Sequence, residues 1–173
     1  MNRRSHLPML VTLLLACSLA NFANAQTQST LSPTEHCRDF SADAIVTFAD
    51  LDLAEVVNEA LGLDSGALLH CGQAAGLEEL IVGTTIERVV YGGTLRPSPE
   101  KPFESLNGIQ NLTGLTRLSL INRLITDISP LSSLTNLVNL NLHTNWISDL
   151  GPIRGLTNLE QLIVSENPIF DIS

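Results

Sequence analysis

Residues 112–133 read LTGLTRLSLINRLITDISPLSS, residues 134–155 read LTNLVNLNLHTNWISDLGPIRG and residues 156–173 read LTNLEQLIVSENPIFDIS, each block starting 22 residues after the one before. The same apolar columns recur in all three: Leu112, Leu134 and Leu156; Leu115, Leu137 and Leu159; Leu118, Leu140 and Leu162; Leu120, Leu142 and Val164; Ile125, Ile147 and Ile169. Self-similarity at a fixed period of this length marks stacked structural repeats. Within a block, Leu118 and Leu120 alternate with Arg117 and Ser119, the period-two pattern of a strand with one buried face. A single coil cannot bury its apolar column, so Leu118 must stack on Leu140 and Leu140 on Leu162. These leucines are structural, and they build a short parallel sheet over one continuous core.

Working backwards by one period, Phe103, Leu106, Ile109 and Leu112 fall where Ile125, Ile128, Leu131 and Leu134 lie, so a partial repeat at 103–111 precedes the repeats 112–133, 134–155 and 156–173. Asn145 and Asn167 sit three residues after the last strand leucine or valine, where the chain turns off the sheet. A carboxamide there both donates and accepts, and it can satisfy backbone groups whose burial without a partner costs about 1–3 kcal/mol each. These asparagines are expected to be structural. Arg123 takes that column in the first repeat, and a guanidinium does not fit an asparagine's place, so that turn is expected to be solvent-exposed or differently closed. Pro130 and Pro152 fall on the convex arc, where no backbone ladder needs their missing donor.

These columns resemble the 22-residue repeat of bacterial internalin-type leucine-rich-repeat proteins, Leu-x-x-Leu-x-Leu-x-x-Asn-x-Ile-x-Asp-Ile-x-Pro-Leu, closely over residues 103–173. The resemblance implies an α/β leucine-rich-repeat solenoid, a right-handed superhelix of β-α type with a short parallel β-sheet and an N-terminal helical cap. It also implies recognition of another protein on the concave sheet surface, without naming the partner.

The residues expected on that surface lie between the buried leucines: Arg117, Ser119, Ile121 and Asn122; Asn139, Asn141, His143 and Thr144; Gln161, Ile163, Ser165 and Glu166. The face is mostly neutral and polar. Trp146, the lone tryptophan, shares the rim column of Leu124 and Pro168, where it either anchors a partner or lids the core.

The N-terminal half follows other rules. Residues 46–62, VTFADLDLAEVVNEALG, place Leu53, Val56, Val57, Ala60 and Leu61 at helical spacing, with Asp52 and Glu55 as a capping box and Gly62 as the stop. Residues 45–102 are read as the cap with an irregular first repeat. Its strand is expected within residues 76–90, in an uncertain register. The segment YGGTLRPSPEKP at 91–102 reads as an inserted loop without regular structure. Residues 26–44 are read as linker and start of cap, and the polar run QTQSTLSPT at 26–34 as disordered.

Arg3 and Arg4 precede an apolar run at 7–20 and an Ala23-Asn24-Ala25 site, so residues 1–25 read as a signal peptide. A lipoprotein box around Cys17, which would make an outer-membrane lipoprotein, stays open beside it. Export to the periplasm, cell surface or medium is expected either way. Cleavage after Ala25 takes the formal charge from −9 to −11, with 13 acidic residues at 35–104 and five after Ser105. Such a chain is not expected to bind nucleic acid, nor to insert in a membrane. In an oxidising compartment Cys37 and Cys71 form a disulfide by default. The dipeptides His36-Cys37 and His70-Cys71 raise a metal site as an alternative, and free thiols as another, but adjacent ligands rarely converge on one tetrahedral ion.

No catalytic set is expected. His143 has no acid fixed beside it in sequence, and the column Asp127, Asp149 and Asp171 supplies one carboxylate per coil, too few for calcium. Those aspartates are expected to bind local backbone donors. Neither catalysis nor a cofactor is called for. Ser173 stops the last block four residues short of its period, so either truncation or self-association through the C-terminal edge is expected, the latter making the chain an assembly element of a longer repeat protein.

Overall fold

Leucine and a polar residue in alternation, recurring every 22 positions, produce one short strand per coil, and the coils stack. The computed structural model describes residues 28–83, 88–91, 94–97 and 102–170, with side chains excluded at 84–101. Residues 1–25, expected to be a signal peptide, with Cys17 among them, and Asp171 and Ser173 lie outside the described residues. From the N-terminus the elements are β1 (Ile45–Val46), α1 (Leu51–Ala60), β2 (Leu69–His70), the one-turn α2 (Cys71–Ala74), β3 (Glu79–Val82), β4 (Arg88–Tyr91), β5 (Thr94–Pro97), β6 (Arg117–Leu120), β7 (Asn139–Asn141) and β8 (Gln161–Ile163).

Strands β3, β6, β7 and β8 form one parallel sheet in that order. Its register pairs Leu80 with Leu118, Leu118 with Leu140 and Leu140 with Leu162. Leu118 and Leu140 are buried, while Leu162, on the outermost described strand, is 40 % exposed. The convex side has 3-10 turns at Ile109–Asn111, Ser129–Ser133 and Gly151–Ile153, with Pro130 and Pro152 second in the latter two. Asp127 accepts from Ser129 N and Oγ at 2.8 and 3.0 Å, and Asp149 accepts from Gly151 N at 2.7 Å, so each acid opens its 3-10 turn by filling an orphan donor.

The first coil is longer than the others. Leu80 and Leu118 are 38 residues apart where Leu118 and Leu140 are 22, so β3 and the partial repeat at 103–111 belong to one coil with 16 extra residues. Within the extra length, β4 and β5 pair antiparallel from Arg88↔Pro97 to Tyr91↔Thr94. This corrects the expectation of an irregular loop at 91–102. Gly92 and Gly93 separate two strand-like runs by two residues, a hairpin signal, and Pro97 is tolerated at the end of an edge strand.

Arg123 marks the same irregularity. It is only 5 % exposed, so of the two expected forms the turn takes the differently closed one and not the solvent-exposed one. Its guanidinium lies 5.5 Å from the centroid of the Phe103 ring, and its carbonyl accepts from Phe103 N at 2.9 Å. A Cβ built on Gly83 would come within 3.3 Å of Arg123 Nη2. Arg123 therefore touches both stems of the insertion, Gly83 before it and Phe103 after it, a span that the shorter asparagine of the other coils would not bridge.

Asn145 and Asn167 close the regular coils. Asn145 Nδ2 donates to Leu120 O at 2.7 Å and Leu142 O at 3.0 Å, while Oδ1 accepts from Arg123 N at 3.0 Å and Ile125 N at 3.1 Å. Asn167 repeats the pattern one coil on, donating to Leu142 O and Val164 O and accepting from Ile147 N. Each carboxamide thereby ties its own turn to the preceding coil.

The cap begins earlier than the polar composition of residues 26–34 implies. Leu31 is 1 % exposed and Thr30 bridges Ile45, so the segment 28–34 is tied to β1 through these two residues rather than disordered, although most of its side chains are exposed. Helix α1 is capped by Asp50, whose carboxylate accepts from Leu53 N at 2.9 Å, and not by an Asp52–Glu55 box. Asp50 also accepts from Glu104 N at 2.6 Å, which ties the helix start to the first coil. On the apolar face Leu53 and Val57 are buried but Ala60 is exposed, and Gly62 leaves the helix at φ 68°. Cys37 and Cys71 are joined with their α-carbons 5.4 Å apart, so neither thiolate is available to a metal. Beside that bond, Gln110 Nε2 donates to Pro33 O at 2.7 Å, Asn111 Nδ2 donates to Glu35 O at 3.1 Å, and Asn111 Oδ1 accepts from Cys37 N at 2.7 Å. Two buried amides of the first coil thus latch the N-terminal segment.

Candidate functional site

Side chains alternate across a strand, so the residues opposite the buried leucines share one face of the sheet. Register sets them in rows: Glu79, Arg117, Asn139 and Gln161; Ile81, Ser119, Asn141 and Ile163. Ile121, His143 and Ser165 follow one step beyond the strand ends, keeping the 22-residue offset. All of Arg117, Ser119, Ile121, Asn139, Asn141, His143, Gln161, Ile163 and Ser165 retain solvent access.

Asn122 and Thr144 do not belong with them. Both are buried, and both hold positive φ, 56° and 57°. The chain bends inward here to leave the sheet, which turns these side chains away from the face. Glu166 has the same φ of 57° but is exposed. A left-handed conformation costs a β-branched residue about 1–2 kcal/mol. Thr144 N donates to Ser165 O at 3.0 Å, and Thr144 Oγ1 donates to Glu166 Oε2 at 3.4 Å, which offsets part of that cost.

Glu79 and Ile81 are the residues that the repeat pattern misses. They stand 38, not 22, positions before Arg117 and Ser119, and Glu79-Leu80-Ile81-Val82, apolar at three consecutive positions, carries no alternation from which the exposed face could be read. Glu79 Oε2 lies 2.7 Å from Arg117 Nη2, so the cation of this face is neutralised within it. Ile81 is 52 % exposed. His143 Nδ1 lies 2.8 Å from Ser165 Oγ and 3.1 Å from Ser165 O, and His143 N donates to Asn141 Oδ1 at 3.0 Å. Neither ring contact is an acid. Among the described residues no group of three or more His, Cys, Asp or Glu side chains is arranged to hold a metal ion.

A shallow depression of about 320 Å³ occupies the centre, floored by Leu118 and Leu140 and walled by Arg117, Ser119, Asn139, Asn141, Gln161, Ile81 and Ile163. A second hollow of about 380 Å³ lies at the seam between cap and first coil, beside the disulfide. Its amides, Gln110 and Asn111, are already spent on the backbone of the N-terminal segment, whereas the central depression keeps free polar groups. Trp146 sits on the rim, 46 % exposed, next in column to the exposed Leu124, with its backbone N–H donating to Ile125 O.

A family model for leucine-rich repeats in two copies matches residues 113–155. No curated protein matches the chain. Among solved structures it is similar to an internalin, InlF, from Listeria monocytogenes, at 33% identity and a TM-score of 0.60, over 72% of this chain and 32% of that one. It is also similar to the functional domain of InlJ from the same organism, which includes a cysteine ladder, at 25% identity and a TM-score of 0.55, over 72% of this chain and 24% of that one. The chain therefore spans a third or less of the length of these relatives.

Proposed function

We propose that this chain, which is similar to internalins in its repeats and fold, is an exported recognition module that binds another protein across its concave sheet and performs no catalysis. The observation that carries the reading is the exposed sheet face itself. Four parallel strands hold its side chains in fixed rows, and its central polar groups are not consumed by the fold. Rigid placement lowers the entropic cost of association, since few groups must be ordered on binding. Export is supported by the Cys37–Cys71 bond, because disulfides persist in oxidising compartments, and by the leader-like composition of residues 1–25.

The test is affinity capture from the native environment with the mature protein and, in parallel, with the double variant Asn141→Arg, His143→Glu. A partner held by the first and lost by the second is expected. A partner retained equally by both moves the site off the concave sheet.

A further inference from the structure

The concave face carries hydrogen-bonding groups that the protein does not use. Elsewhere in the repeats Asn136, Asn145, Asn158 and Asn167 all donate to backbone carbonyls. On the face, Ser119, Asn139 and Gln161 make no side-chain hydrogen bond among the described residues, and Asn141 commits only its Oδ1. The nearby charges, Arg117 and Glu79, are paired with each other. A charged group seated at the centre would be desolvated without a counter-ion, at a cost of several kcal/mol. The occupant that fits is uncharged and rich in hydrogen-bonding groups.

Resting on the recognition reading above, we propose that the centre of the face takes an extended, uncharged segment of the partner protein, lying over β6 and β7 and running along them. Its backbone peptide groups bond to Asn139 and Asn141, and its side chains lean alternately on Ile81 and Ile163. Residues two apart on a strand are separated by about 6.8 Å, and an extended segment repeats its edge donors and acceptors at the same spacing. Asn139 and Asn141, two apart on β7, therefore meet successive peptide groups in register. Ile81 on β3 and Ile163 on β8 are three strands apart, about 14 Å. That width admits a strand standing on its edge with side chains to both sides.

A helix would meet the amides with side chains alone, because its backbone groups are bonded internally, whereas an extended segment offers its backbone as well.

The experiment selects displayed random twelve-residue linear peptides against the folded chain, then titrates the enriched sequences as synthetic peptides with blocked termini. The expected sequences share an uncharged, alternating central run. Methylating one central backbone nitrogen, which removes a donor and leaves the side chain, is expected to weaken binding about tenfold. Asn139→Ala is expected to weaken it several-fold with unchanged melting temperature, and Asn141→Ala to weaken it similarly with a small fall in melting temperature because His143 N loses its acceptor, while Asn136→Ala, on another surface, leaves binding intact. Enrichment of charged or helix-patterned peptides overturns the proposal, as does indifference to N-methylation or to Asn139→Ala. So does the absence of any enriched peptide, or binding of neutral oligosaccharides in their place. A captured partner that depends on Asn141 and His143, with no such peptide binding, leaves the recognition reading standing and removes only the extended segment.

Discussion

At the scale of single residues, Asn145 is the most heavily used side chain of the repeats. Replacing it with alanine orphans two buried donors, Arg123 N and Ile125 N, and takes a donor from Leu120 O, while Leu142 O keeps its bond from Asn167 Nδ2. With about 1–3 kcal/mol at stake per buried group and partial relaxation, Asn145→Ala is expected to lower unfolding free energy by about 3 kcal/mol or more in urea titration. Asn167→Ala, in the same column but half-buried, is expected to cost about half as much. Equal losses would mean that the carboxamides do not act through burial. Trp146 poses a different question, since it is half-exposed beside Leu124. Trp146→Ala is expected to keep its melting temperature and to lose partner affinity, and a fall in melting temperature with affinity intact would assign it to covering the core. The asparagine column was legible from spacing alone. Arg123 was not, because the reason for a long cation there is a pair of insertion stems that no 22-residue register displays.

At the scale of elements, the cap is held to the first coil by a covalent bond and by a small set of buried polar contacts. The Cys37–Cys71 bond closes a loop of 34 residues, for which chain entropy suggests about 3–4 kcal/mol of stabilisation. The double variant Cys37→Ser, Cys71→Ser is expected to lose that amount and to be cleaved first at residues 28–40 in limited proteolysis. Cleavage beginning inside the repeats would show that the latch made by Gln110 and Asn111 suffices without it. The helix α1 was legible from its apolar spacing, but its start was not. Asp50, Asp52 and Glu55 are all plausible first-turn acids, and only the additional bond from Glu104 N selects Asp50. Leu31 escaped for a similar reason. One leucine in a polar run gives no periodicity, and its burial depends on the pairing of Thr30 with Ile45.

At the scale of the whole molecule, acidity and the concave sheet are largely separated, Glu79 being an acid that stands on that face. The carboxylates concentrate before Ser105, in the cap and first coil, while the rows of β6, β7 and β8 present amides, hydroxyls and isoleucines. The sheet was legible as far as the period runs. Its fourth strand, β3, with Glu79 and Ile81, lay beyond a break of 16 residues. That strand changes the chemistry of the face, for Arg117 taken alone reads as a free cation and beside Glu79 it is half of an ion pair. Whether a partner sits on the concave sheet is read out by nuclear magnetic resonance of the side-chain amides in the protein bound to its captured partner. The Nδ2 and Nε2 signals of Asn139, Asn141 and Gln161 are predicted to shift while those of Asn145, Gln110 and Asn111 stay in place. Shifts confined to the cap amides or to the convex 3-10 turns, with Asn139 and Asn141 unmoved, would contradict it.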